Sequence, residues 1–384
     1  MTTLFRNTIC SSGLVSVVST GGRNGFGGAA ASLFGAAQHR LLSSGTAQPP
    51  SSDPAVVPAA GATGKTVVLD YEKFEPSGEA KKAKSGSVPI SSLVVCHGLF
   101  GSKQNWRSLG RAMSSRFGVP VYAVDLRNHG TSPHIDGLAY EDMAADVIEF
   151  MSTHNIQNSA LIGHSMGGKV SMSVALHPSL PKNMLSHLVS VDMAARRGPL
   201  SPEFEKYIQA MLDIKQQKCK TRSEADDILK LTEPDLGVRQ FLLTNLTRLP
   251  ETPDVWSWRI PVEMIQKHIS QIGDFPYDAP GESESKSESG SGSSSASSSS
   301  SGTGNVRSSD IPTLFIKGSR SKYVNRKNIP TNLAYFPNSK LVHMDTGHWC
   351  QAEKPNEFVQ VIHDFLTNKT QDQTQDALKP RSSK

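Results

Sequence analysis

Apolar residues along this chain fall into short runs separated by stretches with helical spacing. Residues 92–96, 119–124, 160–163, 185–191, 311–316 and 340–344 read as buried strands. Residues 66–69 alternate weakly and read as an edge strand. Between them, Trp106, Leu109, Ala112 and Met113 mark one face of a helix over 105–117, and Tyr140, Met143, Ala144, Val147 and Met151 mark another. Further helices are predicted over 168–176 and 356–366, the latter carrying Phe358, Val361, Ile362 and Phe365. Regular alternation of strand and helix predicts an α/β fold, with a mostly parallel central sheet and helices on both faces.

The alternation stops after Asp192. From 199 to 275 only helical stripes remain: Phe204, Tyr207, Ile208 and Met211, then Ile228 and Leu229, then Phe241, Leu242 and Leu246, with Trp256, Trp258 and Met264 beyond. An all-helical insert between two halves of a parallel sheet reads as a cap over the carboxyl edge of the strands. Phe204, Tyr207, Met211, Trp256 and Trp258 either line an apolar tunnel or form the core of that cap. The expected organisation is a core in two parts, 53–198 and 310–367, with the helical cap at 199–275. Residues 276–309 are a flexible insertion, nearly all Ser, Gly and Glu over 281–305, which has too little apolar surface to offset its ordering entropy. Residues 368–384 are polar and read as a disordered tail.

Charge changes the picture at one end. The chain has 384 residues, with 40 Lys+Arg against 35 Asp+Glu. Residues 1–52 contain Arg6, Arg23 and Arg40 but no acid, and the first carboxylate is Asp53. That composition, rich in Ser, Gly and Ala, predicts a mitochondrial transit peptide. Removing those three arginines leaves 37 basic residues against 35 acids, too even a balance for a nucleic-acid partner. No apolar run is long enough for a transmembrane helix. The four cysteines, Cys10, Cys96, Cys219 and Cys350, are too scattered for a zinc site or a disulfide scaffold.

Gly163-His164-Ser165-Met166-Gly167 follows a predicted strand and opens a predicted helix. In that context G-x-S-x-G makes a nucleophile elbow, with the serine hydroxyl raised on a strained turn and a helix N-terminus behind it. A serine hydroxyl is a weak nucleophile and needs a base. His348, between the last strand and the last helix, is in the right chain order; His97 and His129 stand at other strand ends but precede the elbow. The loop 318–328 contains no Asp or Glu. The acid is therefore expected from Asp192, at the end of the strand after the elbow, with Asp345 and Glu263 as the other candidates. Ser321 occupies the acid-free loop within reach of the same histidine. An oxyanion hole needs two main-chain donors: Met166 N–H after the nucleophile and one from 97–101, expected at Leu99. Asp125, Arg127 and His129 are expected to brace the surrounding loops, His164 to pack beneath the elbow, and Cys350 to be a packing thiol.

His97-Gly98-Leu99-Phe100-Gly101-Ser102, Asp125-x-Arg127-Asn128-His129-Gly130, Gly163-His164-Ser165-Met166-Gly167-Gly168-Lys169 and Gly347-His348-Trp349 occur together here. In this combination the chain resembles the mitochondrial abhydrolase-domain esterases of the α/β-hydrolase superfamily, the family of the eleventh abhydrolase-domain protein. Fungal ethanol acetyltransferase-like proteins and a small bacterial acyl esterase belong to the same circle. The likeness covers about 66–275 and 309–367, and includes 238–246 of the cap. It implies an α/β-hydrolase fold with Ser165 as nucleophile and His348 as base. The bacterial relative implies an acid at the place of Asp192 and an assisting serine at that of Ser321. It further implies acyl ester or thioester substrates, a mitochondrial matrix address, no metal and no cofactor, and a mitochondrial dehydrogenase complex as a protein partner. The Ser-rich tract departs from the family pattern.

The function expected first is a serine esterase or lipase-like hydrolase working through an acyl-enzyme. An alcohol O-acyltransferase would use the same residues, because water and alcohol attack the same intermediate. A non-catalytic binding role is opposed by the intact set of Ser165, Asp192 and His348.

Overall fold

A computed structural model describes residues 64–76, 88–281 and 306–379. The expected presequence and most of the Ser-rich tract lie outside these residues. The strands are β1 (Tyr71–Phe74), β2 (Ser92–Cys96), β3 (Val121–Val124), β4 (Ser159–His164), β5 (Leu185–Val191), β6 (Leu246–Leu249), β7 (Thr252–Trp258), β8 (Thr313–Gly318) and β9 (Ser339–Met344). All but β6 and β7 form one sheet in the order β1-β3-β2-β4-β5-β8-β9. Every pair in it is parallel except β1 with β3.

The apolar runs are continuous because both faces of the sheet are covered. Val94 and Cys96 of β2 point into one core, with α2 (Tyr140–Thr153) and α3 (Met166–Ala175). Leu93 and Val95 point into the other, with α1 (Arg107–Phe117) and α10 (Pro355–Leu366). The edge strand lies at Tyr71–Phe74 rather than at 66–69. The backbone before it is taken by carboxylates of α2 instead of a strand: Gly64 N–H donates to Asp142 Oδ1 (3.0 Å) and Val67 N–H to Asp146 Oδ1 (2.8 Å).

Between β5 and β8 come α4 (Glu203–Gln217), α5 (Arg222–Lys230), α6 (Leu236–Leu243) and α7 (Val262–His268), then a 3-10 turn, Ile269–Gly273. The insert is not all helical. β6 and β7 form an antiparallel hairpin with Leu246 opposite Trp258 and Leu249 opposite Thr252. Pro250 and Pro253 forbid a helix there, and Trp256 and Trp258 follow strand spacing. Trp258 and Met211 belong to the core of the insert, where Trp258 Nε1–H donates to Met211 O (2.6 Å).

The described parts of two segments expected to be loose make defined contacts. Of the tract 276–309, Tyr277 and Ala279 are buried, Tyr335 Oη donates to Tyr277 O (2.7 Å), and Asp278 bridges Val306. Tyr335 ends α8 (Ile329–Tyr335). Of the expected tail, Asp372 and Gln373 lie along β9 and lead into α11 (Thr374–Leu378). Leu341 N–H donates to Asp372 Oδ1 (2.9 Å), Gln373 N–H to Leu341 O (2.8 Å), and His343 N–H to Gln373 Oε1 (2.7 Å). These bonds occupy polar groups that an open sheet edge leaves bare.

Candidate active site

β4 ends at His164, α3 begins at Met166, and Ser165 between them has φ 55° and ψ −120°. A non-glycine residue in that region costs about 1–3 kcal/mol and persists only where its surroundings impose it. The surroundings are tight. A Cβ on Gly163 would lie 2.0 Å from Gly167 O, and one on Gly167 would lie 2.4 Å from Cys96 O. Ser165 N–H donates to Val191 O (3.1 Å), and Ser165 O accepts from Gly168 N–H (2.8 Å). The Ser165 hydroxyl has no hydrogen-bond partner among the described residues, and the residue as a whole is 8% exposed.

Asp192 stands one residue past β5 with φ 49° and is fully buried. Its Oδ2 accepts from His348 Nδ1–H at 2.7 Å, and its Oδ1 accepts from Gly318 N–H at 3.1 Å. This fixes the imidazole tautomer with Nε2 free as an acceptor. The other acids are elsewhere: exposed Asp345 pairs with Arg320 and Lys354, and Glu263 pairs with Lys215. Ser321 does not reach the histidine. Its Oγ accepts from Tyr323 N–H (3.3 Å), because the loop turns back on itself there. Tyr323 takes the place expected for it, with its ring stacked on His348 at 4.2 Å between centroids and 29° between planes. On the elbow side, the His164 ring lies 4.7 Å from His348, and His164 Nε2–H donates to His348 O (3.0 Å). Burial holds His164 well below the ordinary imidazole range, so it is a neutral donor.

The loop after β2 closes by Gly101 N–H to Gly98 O (2.9 Å), with Phe100 at φ 62°. A Cβ on Gly98 would lie 3.2 Å from Ser165 Cβ, so this loop abuts the elbow. The main-chain N–H groups of Leu99 and Met166 have no acceptor among the described residues. His97 and His129 are held away from the reacting centre. His97 Nδ1–H donates to Gly98 O (2.8 Å) and its Nε2 accepts from Leu126 N–H (3.0 Å); His129 Nδ1–H donates to Arg127 O (2.9 Å). Asp125 braces the loops by accepting from Lys103 N–H (2.6 Å) and Thr131 N–H (2.8 Å), and Arg127 forks onto Asp146 at 2.6 and 2.9 Å. Cys350 opens the short helix α9 (Cys350–Glu353), is buried and accepts from Thr346 Oγ1 (3.1 Å).

The insert meets the site through aromatic side chains and two polar ones. Phe204 faces Phe100 (6.4 Å), and Phe241 faces Trp349 (6.0 Å). Lys169, one turn after Ser165, donates its Nζ to Ile272 O (3.2 Å), Gly273 O (3.1 Å) and Asp274 O (2.7 Å). Burial pulls its ammonium down to about 7. Asn245 Nδ2 donates to Phe100 O (2.7 Å). Tyr323, Lys169 and Asn245 were not singled out by the sequence for these contacts, and their local neighbours carry no signal for them.

The seven-stranded sheet, the serine elbow and the Asp192–His348 pair at the strand ends define the class. Residues 92–355 match the α/β hydrolase fold, and the chain belongs to that family. Within it, the chain is 36% identical over 310 residues to the sn-1-specific diacylglycerol lipase ABHD11 of Xenopus laevis, covering 79% of this chain and 85% of that protein. It is 34% identical over 319 residues to a "probable alcohol acetyltransferase" of Saccharomyces cerevisiae, covering 79% and 84%. Among solved structures, an esterase from a marine microorganism matches with a TM-score of 0.62 and 31% identity, over 78% of this chain and all of that one (100%). These are the groups that the sequence motifs resemble.

Proposed function

We propose that this hydrolase cleaves carboxylic esters with Ser165 as nucleophile, His348 as general base and Asp192 as the acid that orients the imidazole. The observation that carries the reading is the 2.7 Å contact between His348 Nδ1 and buried Asp192 Oδ2, beside a serine held at φ 55° on an elbow. Ser165 Oγ attacks the ester carbonyl carbon, and its proton passes to His348 Nε2. The carbonyl π pair becomes an oxyanion facing the Leu99 and Met166 N–H groups. Collapse expels the alcohol, which leaves with the proton from His348. Water, deprotonated by the same imidazole, then releases the acid and restores Ser165. The Asp192 carboxylate, bonded to Nδ1–H, stabilises the imidazolium. The X. laevis relative is named for a lipid ester and the yeast relative for acyl transfer to an alcohol; both names describe chemistry that one acyl-enzyme supports.

A fluorophosphonate probe tests this directly. The protein is expected to be labelled at Ser165, and Ser165→Ala to abolish both labelling and turnover of p-nitrophenyl acetate. A folded, unlabelled protein would sink the reading. Adding graded ethanol to the acetate assay separates hydrolysis from transfer: acetate without ethyl acetate is expected, and ethyl acetate rising with ethanol would assign the transferase instead.

A further inference from the structure

Besides the ring contact of Phe204 with Phe100, one side chain of the insert hydrogen-bonds the oxyanion loop. Asn245 lies between α6 and β6 and is 1% exposed. Its Nδ2 donates to Phe100 O at 2.7 Å and to Leu242 O at 3.4 Å, and its own main-chain carbonyl accepts from Arg259 N–H at 2.9 Å. A buried carboxamide is costly unless bonded, so a position needed only to fill space would take an apolar residue.

Phe100 is the bent residue of its loop. At φ 62° a side chain with a Cβ is strained by about 1–2 kcal/mol, so the turn has a reason to relax. Relaxing to negative φ requires the Leu99–Phe100 peptide to turn over, which changes the type of the 98–101 turn whose first peptide bears the Leu99 N–H. The next peptide, Phe100–Gly101, opposes this because it is held at both ends. Gly101 N–H is bonded within the loop to Gly98 O (2.9 Å), and Phe100 O is bonded to Asn245. Gly98 in turn rests against Ser165.

We infer that Asn245 is a positioning residue for the oxyanion hole: its amide clamps the 98–101 turn, so the Leu99 donor is correctly aimed only when the cap is seated. The inference rests on the serine-hydrolase reading above and adds a dependence of catalysis on a cap residue that does not touch substrate.

Asn245→Asp keeps the shape and replaces the donor with an acceptor; Asn245→Ala removes the donor without adding charge. Both are compared with wild type for p-nitrophenyl acetate turnover and for binding of an alkyl trifluoromethyl ketone. In that adduct Ser165 Oγ bonds the carbonyl carbon, the π pair becomes an oxyanion and the hydroxyl proton moves to His348. Rates are expressed per serine labelled at the endpoint with fluorophosphonate, so a partly folded preparation still gives a result. Both variants should lose roughly 10- to 100-fold in kcat with KM little changed, less than the roughly 100- to 1,000-fold of losing a donor itself. Ketone affinity should fall by the same factor as kcat/KM. Ketone affinity and kcat per labelled serine within about two-fold of wild type would overturn the clamp and leave the hydrolase standing. A folded, unlabelled wild type would remove the hydrolase reading and the clamp with it.

Discussion

His348 is held on three sides, and each contact has a different consequence. Asp192 fixes its tautomer, His164 fixes its backbone, and Tyr323 fixes the plane of its ring. Burial pushes the Tyr323 phenol up to about 12, so its hydroxyl stays protonated and its contribution to the histidine is the ring face. Tyr323→Ala should therefore lower kcat by roughly 5- to 10-fold, the worth of a stacked aromatic pair of about 1 kcal/mol. Tyr323→Phe should retain the wild-type rate, and an equal loss in both variants would show that the ring face is not what matters. Ser165, His348 and Asp192 were legible in the sequence for local reasons: an elbow between a strand and a helix, a histidine after the last strand, and a loop without acids. Tyr323 and Asn245 were not. Their partners, His348 and Phe100, lie 25 and 145 residues away in the chain, and no local spacing encodes such contacts.

At the scale of elements, the buried strands were legible because a run covered on both faces has no polar alternation to misread. β6 and β7 were missed because paired tryptophans next to a helical stretch fit either period until the prolines are weighed. The 372–378 segment was missed because it has only Ala377 and Leu378 to pack on the core, and its other contribution is main-chain and side-chain hydrogen bonds to β9. Ending the chain after residue 371 should remove three such bonds, a loss of about 3 kcal/mol by denaturant unfolding. It should also bare the β9 edge, and light scattering should detect more self-association than in the full chain. Unchanged stability and a monodisperse truncated protein would show that the strap is dispensable.

Across the whole molecule, the buried histidines set how the fold meets acid. His97, His129 and His164 are all held below the ordinary imidazole range, with burial the largest cause, and His129 falls to about 3. In the unfolded chain each takes up a proton near pH 6.5. Below that pH the unfolded state binds protons that the folded state refuses, so stability is full above about pH 6.5 and is lost as pH falls. Each group adds a slope of about 1.4 kcal/mol per pH unit until its own folded pKa is reached. His129→Gln should make the stability profile shallower by about that amount between roughly pH 6.5 and 3, read by urea unfolding across the range. A slope identical to wild type would exclude His129 as one of the titrating groups.

The bridge between Asp278 and Val306 carries a different kind of consequence. Arg307 N–H also donates to Asp278 O (3.1 Å), so Asp278 and residues 306–307 are neighbouring points of the fold. Whatever is spelled between those points is closed at its base like a drawstring. Each doubling of its length costs only about 0.6 kcal/mol in closure entropy. Changes of length between those points should leave the register of β8 and the seat of His348 unchanged. A reporter, a tag or a foreign domain belongs there rather than at the carboxyl terminus, where the chain is already employed in closing the sheet.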